Sequence, residues 1–168
     1  MKQSASFDSS FWINADRAGL LQNVLRRYEL RYASAVAAEL REEFPSGQRF
    51  WRLVREGVLT ESVAGASHVQ GFGPGERAAM DLALENPDWV LLMDDRRPFQ
   101  EAARLGIDVL CTPVLVVGLF AEGALSARQA LLGLARLAAL QTLSPHLLAA
   151  ALAQLGRSMS EHGEEDRS

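Results

Sequence analysis

Apolar residues in this chain fall into short blocks whose spacing matches either a strand or a helix. Residues 28–32 alternate aromatic or aliphatic side chains with polar ones, and residues 89–93 form an unbroken apolar run between turn residues. The alternation is typical of a strand, and the unbroken run is typical of a strand buried on both faces. Weaker strand patterns occupy residues 5–9, 58–63 and 107–111.

Helical spacing of apolar residues fills the intervals between these strands. Helices are predicted over residues 13–25, 35–44 (with Ser34 as N-cap), 48–55, 76–85, 98–105, 113–121 and 126–140, and a last helix from Ser144 to about Leu155. Strands that alternate with helices imply a parallel sheet covered on both sides. We therefore predict an α/β fold with a central parallel sheet of four to five strands.

The length of 168 residues and the hydrophobic content of 48% suit one domain with a sizeable core. We predict that residues 1–156 form this domain and that the charged residues 157–168 are a disordered tail. The first ten residues lack the apolar core of a signal peptide, and the longest apolar run, residues 109–120, is shorter than the roughly 20 residues of a membrane span. We therefore expect a cytoplasmic protein without a membrane partner.

Charge and residue usage exclude several function classes. A net charge of -4 is unfavourable for gripping nucleic acid over the whole surface, because such binding depends on neutralising phosphates. Any nucleic-acid contact must come from local arginine clusters. Lys2 is the only lysine, so chemistry that requires a lysine in the core is excluded. Cys111 is the only cysteine, which excludes an intrachain disulfide and a cysteine-based zinc cluster.

Acidic residues occupy positions where a parallel sheet usually binds its ligands, at the carboxyl ends of strands. Asp8 lies at the end of the first strand, and Asp94 and Asp95 come at the end of the strand at residues 89–93. Glu76 begins a helix after a Gly-rich loop, and Glu39 lies in a helix among small and apolar residues. Carboxylate oxygens suit Mg²⁺ or Mn²⁺, which would relieve their mutual repulsion. Such an ion activates water and stabilises charge on a phosphodiester.

Each acid also has a purely structural explanation. Asp8 fits a turn or helix cap, Glu39 fits a solvated helix position, and Glu76 fits a helix start, where the dipole contributes about 0.3–1 kcal/mol. The pair Asp94 and Asp95 is the hardest to explain in this way, because loops at that end of a parallel sheet commonly carry function. The predicted metal site therefore rests on the combination of acids.

Three stretches resemble the PIN-domain family, the fold of many bacterial and archaeal toxin ribonucleases. In residues 73–125, Gly-Glu, an Ala-rich helix, an apolar strand, Asp-Asp-Arg and Leu-Gly-Ile follow one another. The other two stretches are Phe-Asp-Ser-Ser at residues 7–10 and Ser-Ala-Val-Ala-Ala-Glu-Leu at residues 34–40. The resemblance covers almost the whole chain and is closest to a branch described as predicted nucleic-acid-binding proteins. It implies a three-layer α/β/α sandwich.

The resemblance assigns roles to the acids residue by residue. The four catalytic acids of the family match, in order, Asp8, Glu39, Glu76 and Asp95, although toxins more often carry Asp at the third position. The expected metal ligands are Asp8, Glu76, Asp94 and Asp95. Ser10 matches the hydroxyl that often supports the first acid and is expected at the substrate-binding part of the site.

Two arginines next to the acidic pair have expected roles, and two positions of this chain differ from the family pattern. Arg96 and Arg97 follow the acidic pair and are expected to hold substrate phosphates, although they fit a solvent-facing or charge-balancing role at least as well. Toxins commonly carry Thr or Ser two positions before the final Asp, where this chain has Met93. The expected Gly-Thr turn reads Cys111-Thr112. The Met93 departure leaves open a PIN-like domain with reduced or lost activity.

The function that the resemblance implies is metal-dependent hydrolysis of RNA with Mg²⁺ or Mn²⁺, by the toxin of a toxin–antitoxin pair. It also implies a homodimer and a small antitoxin protein as partners. A catalytically weak or inactive module that binds nucleic acid or protein is the main alternative, favoured by the acidic pI and the apolar helices at residues 126–155.

Two other classes share a parallel sheet with an acidic pocket. A haloacid-dehalogenase-like phosphatase needs Asp-x-Asp after the first strand, where this chain has Ser10, and it normally needs a core lysine. A response-regulator-like receiver domain also needs that lysine. Both classes therefore fit the sequence less well than a PIN domain.

Overall fold

The computed structural model describes residues 1–165 and contains an all-parallel sheet surrounded by helices. The strands are β1 (Gln3–Phe7), β2 (Tyr28–Tyr32), β3 (Thr60–Glu61), β4 (Val90–Leu92) and β5 (Val109–Leu110). The helices are α1 (Ser9–Arg17), α2 (Leu21–Arg27), α3 (Ser34–Glu39), α4 (Pro45–Arg55), α5 (Pro74–Glu85), α6 (Arg96–Arg104), α7 (Thr112–Ala121), α8 (Ala127–Leu140) and α9 (Pro145–Glu165). The predicted α/β class and the three-layer arrangement are confirmed.

The strand order across the sheet is β3-β2-β1-β4-β5, and every neighbouring pair is parallel. The chain builds outward from β1 to β3 on one side, and then crosses to β4 and β5 on the other side. The order therefore reverses between β1 and β4. In open parallel sheets, this reversal leaves a crevice at the carboxyl ends of the two strands.

An aromatic cluster fixes the β1 side of the sheet beneath this crevice. Phe50 of α4 lies with its ring centroid 6.4 Å from Phe7 of β1, 5.5 Å from Trp12 of α1 and 5.0 Å from Tyr32 of β2. Phe7, Trp12 and Phe50 are almost completely buried. Aromatic pairs in such geometry contribute about 0.5–1.5 kcal/mol beyond their buried area. The cluster therefore holds α1 and α4 firmly against the first two strands.

The helix predicted over residues 13–25 is in fact two helices, and it starts earlier than predicted. Asp8 caps α1, so that helix begins at Ser9. Gly19 has a φ of 76°, a left-handed conformation that ends α1 before α2 starts at Leu21. Glycine adopts this conformation without the steric cost that a side chain would bring. The prediction failed here because a single glycine within helical spacing does not by itself mark a break.

The helix predicted over residues 35–44 was also wrong in its bounds. Ala33 occupies the N-cap position in place of Ser34, and α3 ends at Glu39. Phe44 is extended because the residue before a proline is disfavoured in the helical region, and Pro45 then begins α4. This early end has a consequence for the site, since it leaves Glu39 at the last position of α3.

The last helix runs to Glu165, ten residues beyond its predicted end at Leu155. Leu155 is completely buried and Met159 packs against the core, so the apolar spacing of the helix continues past the predicted end. Residues 157–165 of the predicted tail belong to this helix, and residues 166–168 lie outside the described part of the chain. Within residues 1–165, no helix is long and apolar enough to cross a membrane.

Candidate active site

The predicted acids Asp8, Asp94 and Asp95 meet at the crevice where the strand order reverses. Asp8 is the first residue after β1, and its backbone N–H donates to the carbonyl of Leu92 at the end of β4, at 3.2 Å. Asp94 and Asp95 follow β4 after Met93. We refer to these three residues together with Glu39 and Glu76 as the acidic site.

Asp8 is buried and held by two donors. Its side chain is the N-cap of α1, with Oδ1 accepting from the backbone N–H of Phe11 at 2.9 Å. Oδ2 accepts from the hydroxyl of Ser10 at 2.6 Å. Burial raises the pKa of Asp8 from 3.8 to about 8, with smaller contributions from the charges of Asp94 and Asp95 and with the two hydrogen bonds acting in the opposite direction. A carboxyl with this pKa favours a bound proton or a bound cation.

Asp94 is buried within a denser hydrogen-bond network. Its Oδ1 accepts from the backbone N–H of Thr112 at 2.7 Å, and its Oδ2 accepts from the Thr112 hydroxyl at 2.8 Å and from Nδ2 of Asn14 at 2.7 Å. Asn14 in turn accepts from the hydroxyl of Thr142 at 2.9 Å. Burial raises the pKa of Asp94, and these hydrogen bonds oppose the shift. The network ties the end of β4 to α1, α7 and the segment before α9.

Two residues of this network were missed in the sequence, Asn14 and Thr142. Asn14 is almost completely buried, on the face of α1 that also buries Phe11 and Ala15. A polar residue at a core position of a helix is the signal that could have found it, since buried polar groups need partners. Its partners lie 80 and 128 residues away in sequence, so no local pattern identifies them.

Met93 and Thr112 occupy the two positions that depart from the toxin pattern or lie in its expected turn. The Met93 side chain is completely buried in the core, so it supplies packing at the position where toxins carry a hydroxyl. Thr112, also completely buried, supplies a hydroxyl to Asp94 from the start of α7. The acidic pair is therefore supported by a hydroxyl from a different element.

Glu39 lies at the end of α3 and joins α3 to the start of α5. Its Oε1 accepts from the backbone N–H of Gly75 at 3.0 Å, and its Oε2 accepts from the hydroxyl of Ser9 at 2.5 Å. A Cβ atom at residue 75 would lie 2.5 to 2.7 Å from the Glu39 carboxylate. Glycine is therefore required at this position for Glu39 to keep its place.

Glu76 extends the acidic site toward Asp95. Its Oε2 accepts from the backbone N–H of Gly73 at 2.9 Å, in a capping arrangement at the start of α5. The pKa of Glu76 is raised, first by burial and then by contact with Asp95 and by the charge of Glu39. Asp95 itself is exposed at the N-cap position of α6 and makes no capping hydrogen bond there. Burial raises the pKa values of Asp8, Glu76 and Asp94, and the charges of neighbouring acids, including Asp95 and Glu39, add to these shifts.

Arg96 and Arg97 begin α6 next to Asp95, and both are exposed. Among residues 1–165, neither arginine forms an ion pair with a carboxylate. The charge-balancing role considered from the sequence therefore has no ion pair to support it. Both guanidinium groups are available to an anion that approaches the acidic site.

The donor set fits Mg²⁺ or Mn²⁺ by its chemistry, because every candidate ligand offers carboxylate oxygen. The raised pKa values of Asp8, Glu76 and Asp94 also record a mutual repulsion that a cation would relieve. In the described part of the chain, however, no three acidic, histidine or cysteine side chains lie close enough to share one ion. Binding would therefore require the exposed side chain of Asp95 and the partly buried side chain of Glu76 to move toward Asp8.

Two cavities flank the acidic site. One of about 610 Å³ adjoins Glu39 and is lined in part by Arg17, Arg41 and Arg49. The other, of about 520 Å³, adjoins Asp94 and Asp95 and has largely apolar walls. The acidic site thus lies between a cavity rich in arginine and a mainly apolar one.

The carboxylates gathered at the strand-order reversal of this parallel sheet fit a nuclease, and they also fit the two other classes considered from the sequence. The family model DUF3368, a PIN domain, matches residues 5–157. The chain therefore belongs to the PIN-domain family, whose members are generally nucleases and typically use divalent metal ions. This membership confirms the family predicted from the three sequence stretches and decides between the enzyme classes considered there. No detectable relative of the chain is found among curated proteins.

Proposed function

We propose that this protein is a Mg²⁺- or Mn²⁺-dependent endoribonuclease. The observation that carries the proposal is the burial of Asp8 beside Asp94 and Asp95 at the strand-order reversal, with the pKa of Asp8 raised to about 8. Burying a carboxyl group beside others costs stability, so its presence favours a functional role. A purely structural N-cap needs no such burial, because exposed Asp side chains cap helices equally well.

Some residues of the acidic site would bind the metal ion, and others keep those ligands in position. Asp8, Glu76 and Asp95 would bind the metal, with Glu39 close to them and Asp94 assisting. The metal, when bound, acidifies a water molecule and offsets the charge that develops on the phosphodiester. The two oxygens of Asp94 already accept three hydrogen bonds, which suits this residue to positioning the end of β4.

Local positive charge supports RNA as the substrate in spite of the net charge of -4. Arg96 and Arg97 lie on one side of the acidic site, and Arg17, Arg41 and Arg49 line the cavity on the other side, where Arg41 is paired with Glu43 and Arg49 with Asp16. Guanidinium groups bind phosphate oxygens with paired hydrogen bonds. A single strand of RNA that crosses the acidic site would therefore meet arginines before and after the bond that is cut.

The test is cleavage of a labelled single-stranded RNA in Mn²⁺, with Asp8→Asn as the inactive variant. Asp88→Asn is a matched control, because Asp88 is exposed and precedes β4, at the opposite end of that strand from Asp94 and Asp95. We expect cleavage by the parent and by the control, loss of at least about a hundredfold in Asp8→Asn, and no cleavage in EDTA. Equal cleavage by Asp8→Asn and the parent would show that the proposed site is wrong.

From the family resemblance we also propose that the protein is the toxin of a toxin–antitoxin pair, that it forms a homodimer and that it is cytoplasmic. Induced expression should arrest growth, and Asp8→Asn should relieve the arrest. Co-expression of a small protein encoded next to this chain should relieve it as well. Growth that continues normally on expression of an RNA-cleaving protein would contradict the toxin role and leave the nuclease proposal standing.

A second candidate function, a PIN-like binding module without cleavage, is favoured by one observation. No three potential ligands within residues 1–165 lie close enough to share an ion. This candidate predicts that the protein retains RNA or a protein partner but cuts no RNA with any divalent metal. The cleavage assay in Mn²⁺ therefore separates the two candidates directly.

A further inference from the structure

The cavity beside Asp94 and Asp95 has a volume of about 520 Å³ and a distinct composition. Its walls come from α6, from the start of α7 and from the start of α9, and they include Phe99, Val114 and Leu147. Phe99 and Leu147 are partly buried against the hydrophobic core, so these two walls are fixed by packing. The cavity is therefore a stable apolar recess at the edge of the acidic site.

Unpaired polar groups lie among these apolar walls. Gln100 of α6 and His146 of α9 both line the cavity. Both side chains are exposed to solvent, and neither makes a hydrogen bond or an ion pair to any residue in the described range, 1–165. Small-molecule sites typically combine apolar walls with a few such groups that fix the orientation of the ligand. Gln100 offers both a donor and an acceptor, and the ring of His146 offers two nitrogens.

The chemistry of this cavity matches a nucleobase. A base has two flat apolar faces and a rim of donors and acceptors, and proteins commonly bind it by stacking on an aromatic ring and by hydrogen bonds to its edge. Phe99 supplies the ring, and Gln100 with His146 supplies the polar groups. A volume of about 520 Å³ lies in the range that holds one small ligand. It is too small for a folded partner.

The position of the cavity specifies which nucleotide would enter it. Asp94, Asp95 and Arg96 belong to its lining, so the recess opens directly onto the acidic site. A nucleotide with its phosphate near Arg96 and the carboxylates would have its base within reach of Phe99. Such a base must be unpaired, because a paired base is stacked in a helix and cannot leave it without an energetic cost.

We propose that this cavity binds the unpaired nucleobase next to the phosphodiester that is cut. The inference rests on the proposed nuclease function, and it adds a base-binding subsite formed by Phe99, Gln100, Val114 and His146. The enzyme would consequently cut single-stranded RNA, with a preference set by the base that fits the cavity.

Nucleoside binding tests the subsite separately from cleavage. Isothermal titration of the full chain in EDTA with adenosine, guanosine, cytidine and uridine, and with ribose as the base-free probe, measures binding without a metal or a phosphate. We expect at least one nucleoside to bind and ribose not to bind. Val114→Trp, which fills the cavity, should weaken nucleoside binding about tenfold or more.

Leu131→Trp is the matched control, because Leu131 and Val114 are both 43% exposed and Leu131 lies outside the cavity. We expect this control to bind nucleosides like the parent. Gln100→Ala, at an exposed position that should tolerate the change, guards against misfolding of Val114→Trp and should also weaken binding. Equal binding of nucleosides by the parent and both cavity variants, or equal binding of ribose and nucleosides, would overturn the subsite.

The same variants distinguish the subsite from the nuclease function. If RNA is cut, Val114→Trp should raise KM and Leu131→Trp should not. If no RNA is cut but nucleosides bind in a manner that Val114→Trp removes, the subsite stands and the nuclease proposal fails. If RNA is cut with unchanged KM and no nucleoside binds, the subsite fails and the nuclease proposal stands.

Discussion

Asp8→Asn should stabilise the metal-free protein at neutral pH, although we expect the same substitution to abolish cleavage. Asn has nearly the shape of Asp and carries no charge. Its side-chain oxygen can still accept from the backbone N–H of Phe11, which preserves the cap of α1. The amide group would replace the oxygen that now accepts from Ser10, and the Ser10 hydroxyl can rotate to accept in turn. The main change is therefore the removal of a buried titrating group.

The direction of the effect follows from the two pKa values of Asp8. The carboxyl titrates near 3.8 when it is solvated and near 8 in the folded protein. As the pH rises above 3.8, the unfolded chain releases this proton while the folded chain keeps it. The contribution of Asp8 to stability is therefore full below pH 3.8 and is lost progressively as the pH rises toward 8. The charges of Asp94 and Asp95 face the Asp8 carboxyl, and like burial they raise its pKa.

The size of the effect follows from the span between pH 4 and pH 7. Each pH unit in this span removes about 1.4 kcal/mol, so the upper limit at pH 7 is about 4 kcal/mol. For a protein of this size, 1 kcal/mol shifts Tm by about 2–4 °C. Asp8→Asn should therefore raise the Tm at neutral pH by at most roughly 8–16 °C and should have a much smaller effect near pH 4.

Thermal unfolding in EDTA across this pH range is the assay, with Asp88→Asn as the control that changes an exposed Asp. The parent and the control should lose stability as the pH rises, and Asp8→Asn should lose less. Some slope should remain, because the pKa of Asp94 is also raised by burial. If Asp8→Asn melts below the parent at neutral pH, or keeps the full slope, the buried carboxyl does not carry the cost that we assign to it. Adding Mn²⁺ should raise the Tm of the parent and leave that of Asp8→Asn unchanged.

Two further substitutions test the residues that hold the acids in place. Thr112→Val keeps the backbone donor to Asp94 and removes the hydroxyl, so the free energy of unfolding measured in urea should fall by about 1–3 kcal/mol. Thr112→Ser should restore it. An unchanged stability of Thr112→Val would mean that the hydroxyl is not needed. Gly75→Ala places a methyl group against the Glu39 carboxylate and should reduce RNA cleavage severalfold, whereas Gly118→Ala, with open space around its Cβ, should not; equal cleavage by both variants would contradict a role for Glu39.

Local sequence patterns predicted the elements well where an alternation or an unbroken apolar run was present. The strand predicted at residues 28–32 is β2 with the same bounds, and the run at residues 89–93 contains β4. The patterns failed where a single residue changed the backbone, as at Gly19 between α1 and α2. They also gave no strand order, because the pairing of β1 with β4 joins segments that lie far apart in sequence.

The acids and their supports differ in how far the sequence could locate them. Asp8 and Asp95 were found because strand ends in a parallel sheet are privileged positions, and this rule requires only the strand pattern. Asn14 was missed because its role depends on Asp94, which lies 80 residues away. A contact of this kind is fixed by packing between elements, and no periodicity within α1 reveals it.

The acidic site also shows a division between buried and exposed carboxylates that bears on its chemistry. Asp94 is buried and accepts three hydrogen bonds, so its position is fixed by the fold. Asp95 is exposed and makes no capping bond, and Glu76 is only partly buried, so both can move. Asp8 combines burial with only two donors and a pKa near 8. An ion arriving at the site would therefore meet the buried carboxyl of Asp8, whose deprotonated form it would stabilise, and the carboxyls of Asp95 and Glu76, which are less buried and can move toward the ion.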